Sequence, residues 1–216
     1  MKKFAVILCG CGHLDGSEIY ETVMTLLAID RQGCQYTLFA PNEEQYHVMN
    51  HLTRQPTEEK RNMLVEAARI ARGAILDLKD YHAENFDGLI LPGGFGLAKN
   101  LMSYAVDGIH TKVMPDIEKT IQDTFTLHKP IGGLCIAPVL LAKVLGDITL
   151  TVGDDVNTIK DVETFGAHHI NTKEGEVIAD KKNMIFTTPC FMLNASVSDI
   201  ADSANHLIET ILENLV

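Results

Sequence analysis

Strand-length apolar runs recur along this chain at residues 4–9, 35–40, 88–92, 130–135, 148–152, 176–179 and 184–188. Helical patterns lie between or after them, at 17–30, 57–72, 115–127, 137–145, 154–165 and 196–215. A strand with one wet face alternates apolar and polar residues, whereas a strand buried on both faces is apolar throughout. Continuous apolar strands separated by amphipathic helices therefore predict an α/β fold, a parallel sheet with helices on both faces. In such sheets ligands bind beyond the carboxyl ends of the strands, near the point where strand order reverses. Three strands end in loops suited to that role: Cys9-Gly10-Cys11-Gly12, Leu91-Pro92-Gly93-Gly94, and Gly133-Leu134-Cys135-Ile136-Ala137.

A chain of 216 residues, 46% hydrophobic and 22% charged, fits a single domain over 1–216 with a real core. The pattern predicts a helical insertion around 41–72, because a long polar helix there has little role in a minimal α/β unit. A net charge of −11 without a basic cluster argues against nucleic acid or an anionic membrane as partner. No apolar run is long enough to cross a membrane as a helix. The five cysteines are odd in number and lack a Cys-x-x-Cys pair, so neither a zinc site nor a disulfide framework is expected. Reduced thiols in a cytoplasmic protein fit this usage. Met1-Lys2-Lys3 before an apolar run resembles a signal peptide, but the run is short and a buried first strand is expected.

The third loop carries the chemistry. A small residue two before and two after Cys135 lets a strand turn sharply into a helix with the thiol at the bend, the cysteine form of a nucleophile elbow. The amides opening the next helix would then favour thiolate over thiol. The same residues also fit a core cysteine at a strand end. After the first strand, Gly10-Cys11-Gly12-His13-Leu14-Asp15 departs from a dinucleotide fingerprint by placing an acid in the third glycine slot, which excludes a pyrophosphate there. Ser17 reads as a helix N-cap, putting Glu18 in the first turn, where it either offsets the helix dipole or faces Cys135. Gly93 and Gly94 either expose amides to a developing oxyanion or serve a turn. His206 reads as a surface residue, and His168 or His169 could reach a strand-end site although a lone histidine is more often structural.

Cys135 in Gly-Leu-Cys-Ile-Ala-Pro, Leu-Pro-Gly-Gly at 91–94 and Glu18 in Gly-Cys-Gly-x-x-Asp-Gly-Ser-Glu resemble the PfpI/ThiJ branch of the class I glutamine-amidotransferase-like superfamily. Within it the chain is similar to the ElbB family, end to end, through Thr187-Thr188-Pro189 and the final helix. The resemblance implies a flavodoxin-like sheet, a Cys135 nucleophile and Glu18 as its acid, with Gly93, Gly94 and Ile136 around the oxyanion. It also implies a homodimer, no cofactor and no metal. Many relatives place a histidine after the cysteine or after the next strand; here those positions read Ile136 and Gly153-Asp154. That argues against peptidase and glutaminase activity.

The activity implied is cofactor-free glyoxalase chemistry on a small dicarbonyl, glyoxal to glycolate, through a Cys135 hemithioacetal and with a link to isoprenoid biosynthesis. The alternatives are redox sensing or partner binding through the same thiol, and repair of early glycation adducts.

Overall fold

The computed structural model describes residues 1–215. Eleven strands run in chain order: β1 Lys3–Ile7, β2 Gln35–Ala40, β3 Val48–Asn50, β4 Gln55–Thr57, β5 Ile75–Asp77, β6 Gly88–Leu91, β7 Ile131–Leu134, β8 Thr149–Leu150, β9 His168–His169, β10 Ile178–Asp180 and β11 Ile185–Thr188. The helices are α1 Ile19–Arg31, α2 Met63–Ile70, α3 Leu97–Asn100, α4 Tyr104–Asp107, α5 Pro115–Thr126, α6 Ala137–Leu145, α7 Val156–Thr164 and α8 Val197–Asn214. Seven strands form one sheet in the order β10-β11-β7-β6-β1-β2-β5, parallel except for the antiparallel edge strand β10. This is the flavodoxin-like α/β fold.

Burial follows the sequence pattern. β6, β7 and β11 are buried at every residue and β1 at all but its first. Helices cover both faces, as the two glycines of β7 show. A Cβ on Gly132 would meet Ile211 and Leu207 of α8, whereas one on Gly133 would meet Leu141 and Pro138 of α6. Neighbouring strand residues point to opposite faces, so α8 and α6 lie on opposite sides. α1 packs on α8, and α5 packs on α6. α8 starts with a capping box, Ser196 and Asp199 satisfying each other's backbone N–H.

The expected helical insertion is not present in that form. Residues 41–62 make an excursion containing the hairpin β3–β4, and only Met63–Ile70 of the proposed helix is helical. α2 is a regular crossover helix, packed on β2 and on β5, an edge strand that the sequence pattern missed. β5 is three residues long and lacks full burial, so it carries no apolar run to read. The strand expected at 148–152 contracts to β8, which pairs with β9 outside the main sheet.

The chain runs from β1 outward to β2 and β5, then returns to place β6 on the other side of β1. Strand order reverses there, which makes the strand ends around β1 and β6 the place where such sheets bind ligands. They meet backbone to backbone. A Cβ on Gly96 would lie 2.0 Å from Gly16 N, and one on Gly94 would lie 2.5 Å from Glu18 N. Glu18 N–H donates to Gly93 O at 2.9 Å, joining the two loops directly.

Gly96 has an ordinary helical φ of −62°, so a substitution there tests close approach alone. Gly96→Ala should cost about 1–3 kcal/mol or more through overpacking, seen as a fall of several degrees in Tm at about 2–4 °C per kcal/mol for a chain of this size. Phe95→Ala, at a half-exposed neighbour, should shift Tm far less. Equal Tm values for Gly96→Ala and the native protein would contradict this packing.

Candidate active site

The strand-to-helix bend sets the thiol. β7 ends at Leu134, and Cys135 takes a φ of 59° before α6 begins at Ala137. A non-glycine residue in this left-handed region stores about 1–3 kcal/mol of strain, which the surrounding contacts must hold. Cys135 N–H donates to Thr188 O of the adjacent β11 at 3.0 Å, and Pro138 opens α6 where no intrahelical N–H bond is lost. The elbow expected from the sequence is therefore present, although Cys135 is buried rather than open, with 7% of its surface exposed.

The acid bonded to Cys135 is Glu21, which the sequence reading did not select. It lies one turn into α1 with no exposed surface. Its Oε2 accepts Gly93 N–H at 3.0 Å, its Oε1 accepts Phe191 N–H at 3.4 Å, and it hydrogen-bonds the Cys135 thiol. A Cβ on Gly93 would stand 2.5 Å from Cys135 Cβ and 2.7 Å from Glu21 Oε2, so glycine is needed for the two groups to meet. The available sequence signal was spacing: Glu21, Thr25, Ala28 and Ile29 share the buried stripe of α1. An acid on a core-facing stripe calls for a partner.

Glu18 stands one position earlier in the helix than expected, though it does reach the cavity beside Cys135. It, not Ser17, is the N-cap of α1, and its Oε2 accepts Glu21 N–H at 2.7 Å. Ser17 is drawn inward, where its Oγ accepts Cys9 N–H at 2.9 Å. Gly93 is also reassigned: its amide is taken by Glu21 and does not face the open site. The Gly94 amide does face the Cys135 sulfur, and Gly94 and Ile136 line the space above it.

That space is a cavity of about 460 Å³ lined by His13, Glu18, Tyr20, Gly94, Phe95, Cys135, Ile136, Phe191 and Met192. Glu21 lies behind it. His13 is the only histidine lining it among the described residues, and burial, then His51 and Arg54, lower its pKa. His168 lies on the surface, bonded to Asp147 at 2.8 Å, and His169 and His206 also lie outside the lining. The loop at Gly153 does approach the cavity wall, since a Cβ there would meet Met192 and Leu193, and the His169 ring rests on the Gly153 backbone but stays outside the lining.

The 41–62 excursion braces the first loop. Asp15 Oδ2 accepts Met49 N–H at 2.7 Å, and Gln45 Nε2 donates to Asp15 O at 2.8 Å. Asn100 Nδ2 donates to Cys9 O and Asp15 O from the other side. Asp15, the residue that spoils a dinucleotide fingerprint, is thus a structural tie. Among the described residues no group of three or more His, Cys, Asp or Glu is arranged to hold a metal ion.

Burial dominates the electrostatics. It raises Glu21 from 4.5 to about 8, with the Glu18 charge adding to the shift. Burial also pushes Cys135 well above its ordinary value, followed by Glu21 and Cys190, against the pull of Gly94 N–H. The expected thiolate-favouring effect of the helix end is thus outweighed. Glu21, at about 8, gives up its proton before Cys135 does, and because two adjacent buried anions repel, the pair holds on to the second proton.

Residues 6–189, which contain all three strand-end loops, match the DJ-1/PfpI family. The chain belongs to that family. This DJ-1/PfpI member is 41% identical, over 98% of its length and 82% of the relative's, to the human "Glutamine amidotransferase-like class 1 domain-containing protein 3, mitochondrial". It superposes with a TM-score of 0.94 and 34% identity, over all of both chains, on an "isoprenoid biosynthesis protein with amidotransferase-like domain" from Ehrlichia chaffeensis. Glyoxalase III from Candida albicans shares the fold at a TM-score of 0.62 and 13% identity, covering 100% of this chain and 98% of that one. The human relative's name places that protein in mitochondria, which departs from the cytoplasmic expectation for this chain. No helix among the described residues is long and apolar enough to cross a membrane.

The buried carboxyl makes stability depend on pH. Folded Glu21 keeps its proton up to about pH 8, whereas the unfolded chain releases it near 4.5. Its contribution is therefore fully present below about 4.5 and is lost as pH rises through about 8. In urea melts the native midpoint should fall between pH 5 and pH 8.5, and Glu21→Gln should flatten that slope. An identical slope in Glu21→Gln would place the titrating group elsewhere.

Proposed function

We propose that this protein is a cofactor-independent glyoxalase that converts dicarbonyls to 2-hydroxy acids, glyoxal to glycolate, through Cys135. The observation that carries the reading is a division of labour: Cys135 and Glu18 line one cavity, while Glu21 is sealed behind the thiol. Fold kinship with a glyoxalase III supports only the scaffold. The isoprenoid wording attached to the Ehrlichia chaffeensis neighbour makes that metabolism the proposed setting.

In this mechanism ionised Glu21 takes the thiol proton as Cys135 sulfur attacks the aldehyde carbon. The carbonyl π pair moves to oxygen, and the resulting oxyanion is met by Gly94 N–H. Glu18, on the cavity side, takes the proton from the sulfur-bearing carbon. The released pair forms an enediolate, and Glu18 returns the proton to the neighbouring carbon. A thioester of the 2-hydroxy acid results. Water adds to it, the C–S bond breaks, and the thiol is restored. Glu21 does not line the cavity, so it serves the sulfur rather than the substrate carbons.

Three variants test the assignment with glyoxal, reading glycolate by NMR. Cys135→Ala should abolish turnover in a folded protein. Glu18→Gln keeps an oxygen to cap α1 yet cannot carry the proton, so kcat should drop about 10²–10⁴-fold at every pH. Native kcat/KM should rise through about pH 8 as the pair loses its first proton, and Glu21→Gln should displace that rise. Normal turnover by Glu18→Gln would remove the shuttle role. His168→Asn and His169→Asn should retain activity, and a hundredfold loss in either would show that a histidine completes the site.

A further inference from the structure

The cavity over Cys135 is far larger than a two-carbon dicarbonyl, and its wall is aromatic and aliphatic. Tyr20, Phe95, Ile136, Phe191 and Met192 supply most of the lining, with Tyr20 and Phe191 ring centroids 6.4 Å apart. The polar side chains in the lining are those expected beside a reacting carbonyl: Glu18, His13 and Cys135 itself, with the hydroxyl of Tyr20. Among the described residues no lysine or arginine lines the cavity. Lys99, a cation behind the wall, is bound to Leu14 O at 2.9 Å and His47 Nε2 at 3.0 Å, with its ammonium 4.5 Å from the centre of the Phe95 ring. A phosphate or carboxylate on the substrate would thus meet Glu18 with no lysine or arginine in the lining to offset it.

We infer that the cavity takes a neutral α-oxoaldehyde bearing an aryl or similarly bulky apolar group, with the aldehyde at Cys135 and the apolar group against Phe95, Phe191 and Met192. This rests on the glyoxalase reading of the same cavity. Glyoxal leaves that wall uncovered, whereas an apolar substituent provides remote binding energy that can be used at the reacting carbon. The chemistry needs no external oxidant. The aldehyde carbon is oxidised to the carboxyl level while the adjacent ketone carbon is reduced to a carbinol. Water supplies the remaining oxygen, so phenylglyoxal plus water gives mandelate.

The experiment compares kcat/KM for phenylglyoxal, glyoxal and 4-carboxyphenylglyoxal on the full chain. Phenylglyoxal should exceed glyoxal by at least about tenfold, the scale on which an apolar pocket discriminates. The carboxylated analogue should fall at least about tenfold below phenylglyoxal. Phe191→Ala, which keeps the backbone N–H used by Glu21, should lower the phenylglyoxal-to-glyoxal ratio, and Phe95→Ala is the second variant if the first misfolds. In parallel, acetophenone and acetone are tested as protectants of Cys135 against iodoacetamide. This binding readout is independent of turnover. Protection by acetophenone with no turnover of any dicarbonyl would remove the glyoxalase reading while leaving the aryl-carbonyl site. A phenylglyoxal-to-glyoxal ratio near one, or failure of acetophenone to protect better than acetone, would overturn the inference.

Discussion

Burying a carboxyl group is costly unless its polar atoms find partners, and Glu21 finds them on three separate segments. Gly93 N–H comes from the loop after β6, Phe191 N–H from the turn after β11, and the thiol from the bend after β7. Moving any one of these loops would leave a buried polar group short of a partner, so the carboxyl holds all three strand ends in register. The same packing keeps the Glu21 proton up to about pH 8, ready to be shared with sulfur. Structural tie and chemical partner are one group.

That arrangement depends on backbone approaching backbone. Gly94 and Gly96 leave no room for a Cβ against Gly16–Glu18, and Gly93 leaves none between thiol and carboxyl. Side chains at these positions would force the loops apart. The excursion at 41–62 completes the clamp from outside by tying Asp15 to Met49 and Gln45. A polar segment that looks dispensable in a minimal α/β unit therefore helps to fix the position of the N-terminal end of α1.

Glu18 and Glu21 divide two duties between the N-cap and the first turn of α1. Glu18 is nearly buried, but it reaches the cavity and spends one oxygen on capping its helix. Glu21 has no surface at all and faces sulfur. Three residues apart on a helix, they lie on adjacent positions of one face, so their charges are felt mutually and burial favours keeping at least one of them neutral.

The sequence by itself determined the layered sheet, because fully apolar runs such as β1, β6, β7 and β11 have no stable place except between helices. It also determined the thiol bend, since the small residues flanking Cys135 act locally. The edge strand β5 and the hairpin β3–β4 were not legible, because short exposed strands have little apolar pattern and form only by pairing with a neighbour already in place. The identity of the acid was decided by tertiary structure alone. Glu18 and Glu21 are both acids near the start of α1 in the sequence, and which one meets Cys135 depends on how α1 is rotated where it packs on β2 and α8. Packing against α8 and the Gly93 loop sets that rotation, through contacts with residues more than seventy positions away.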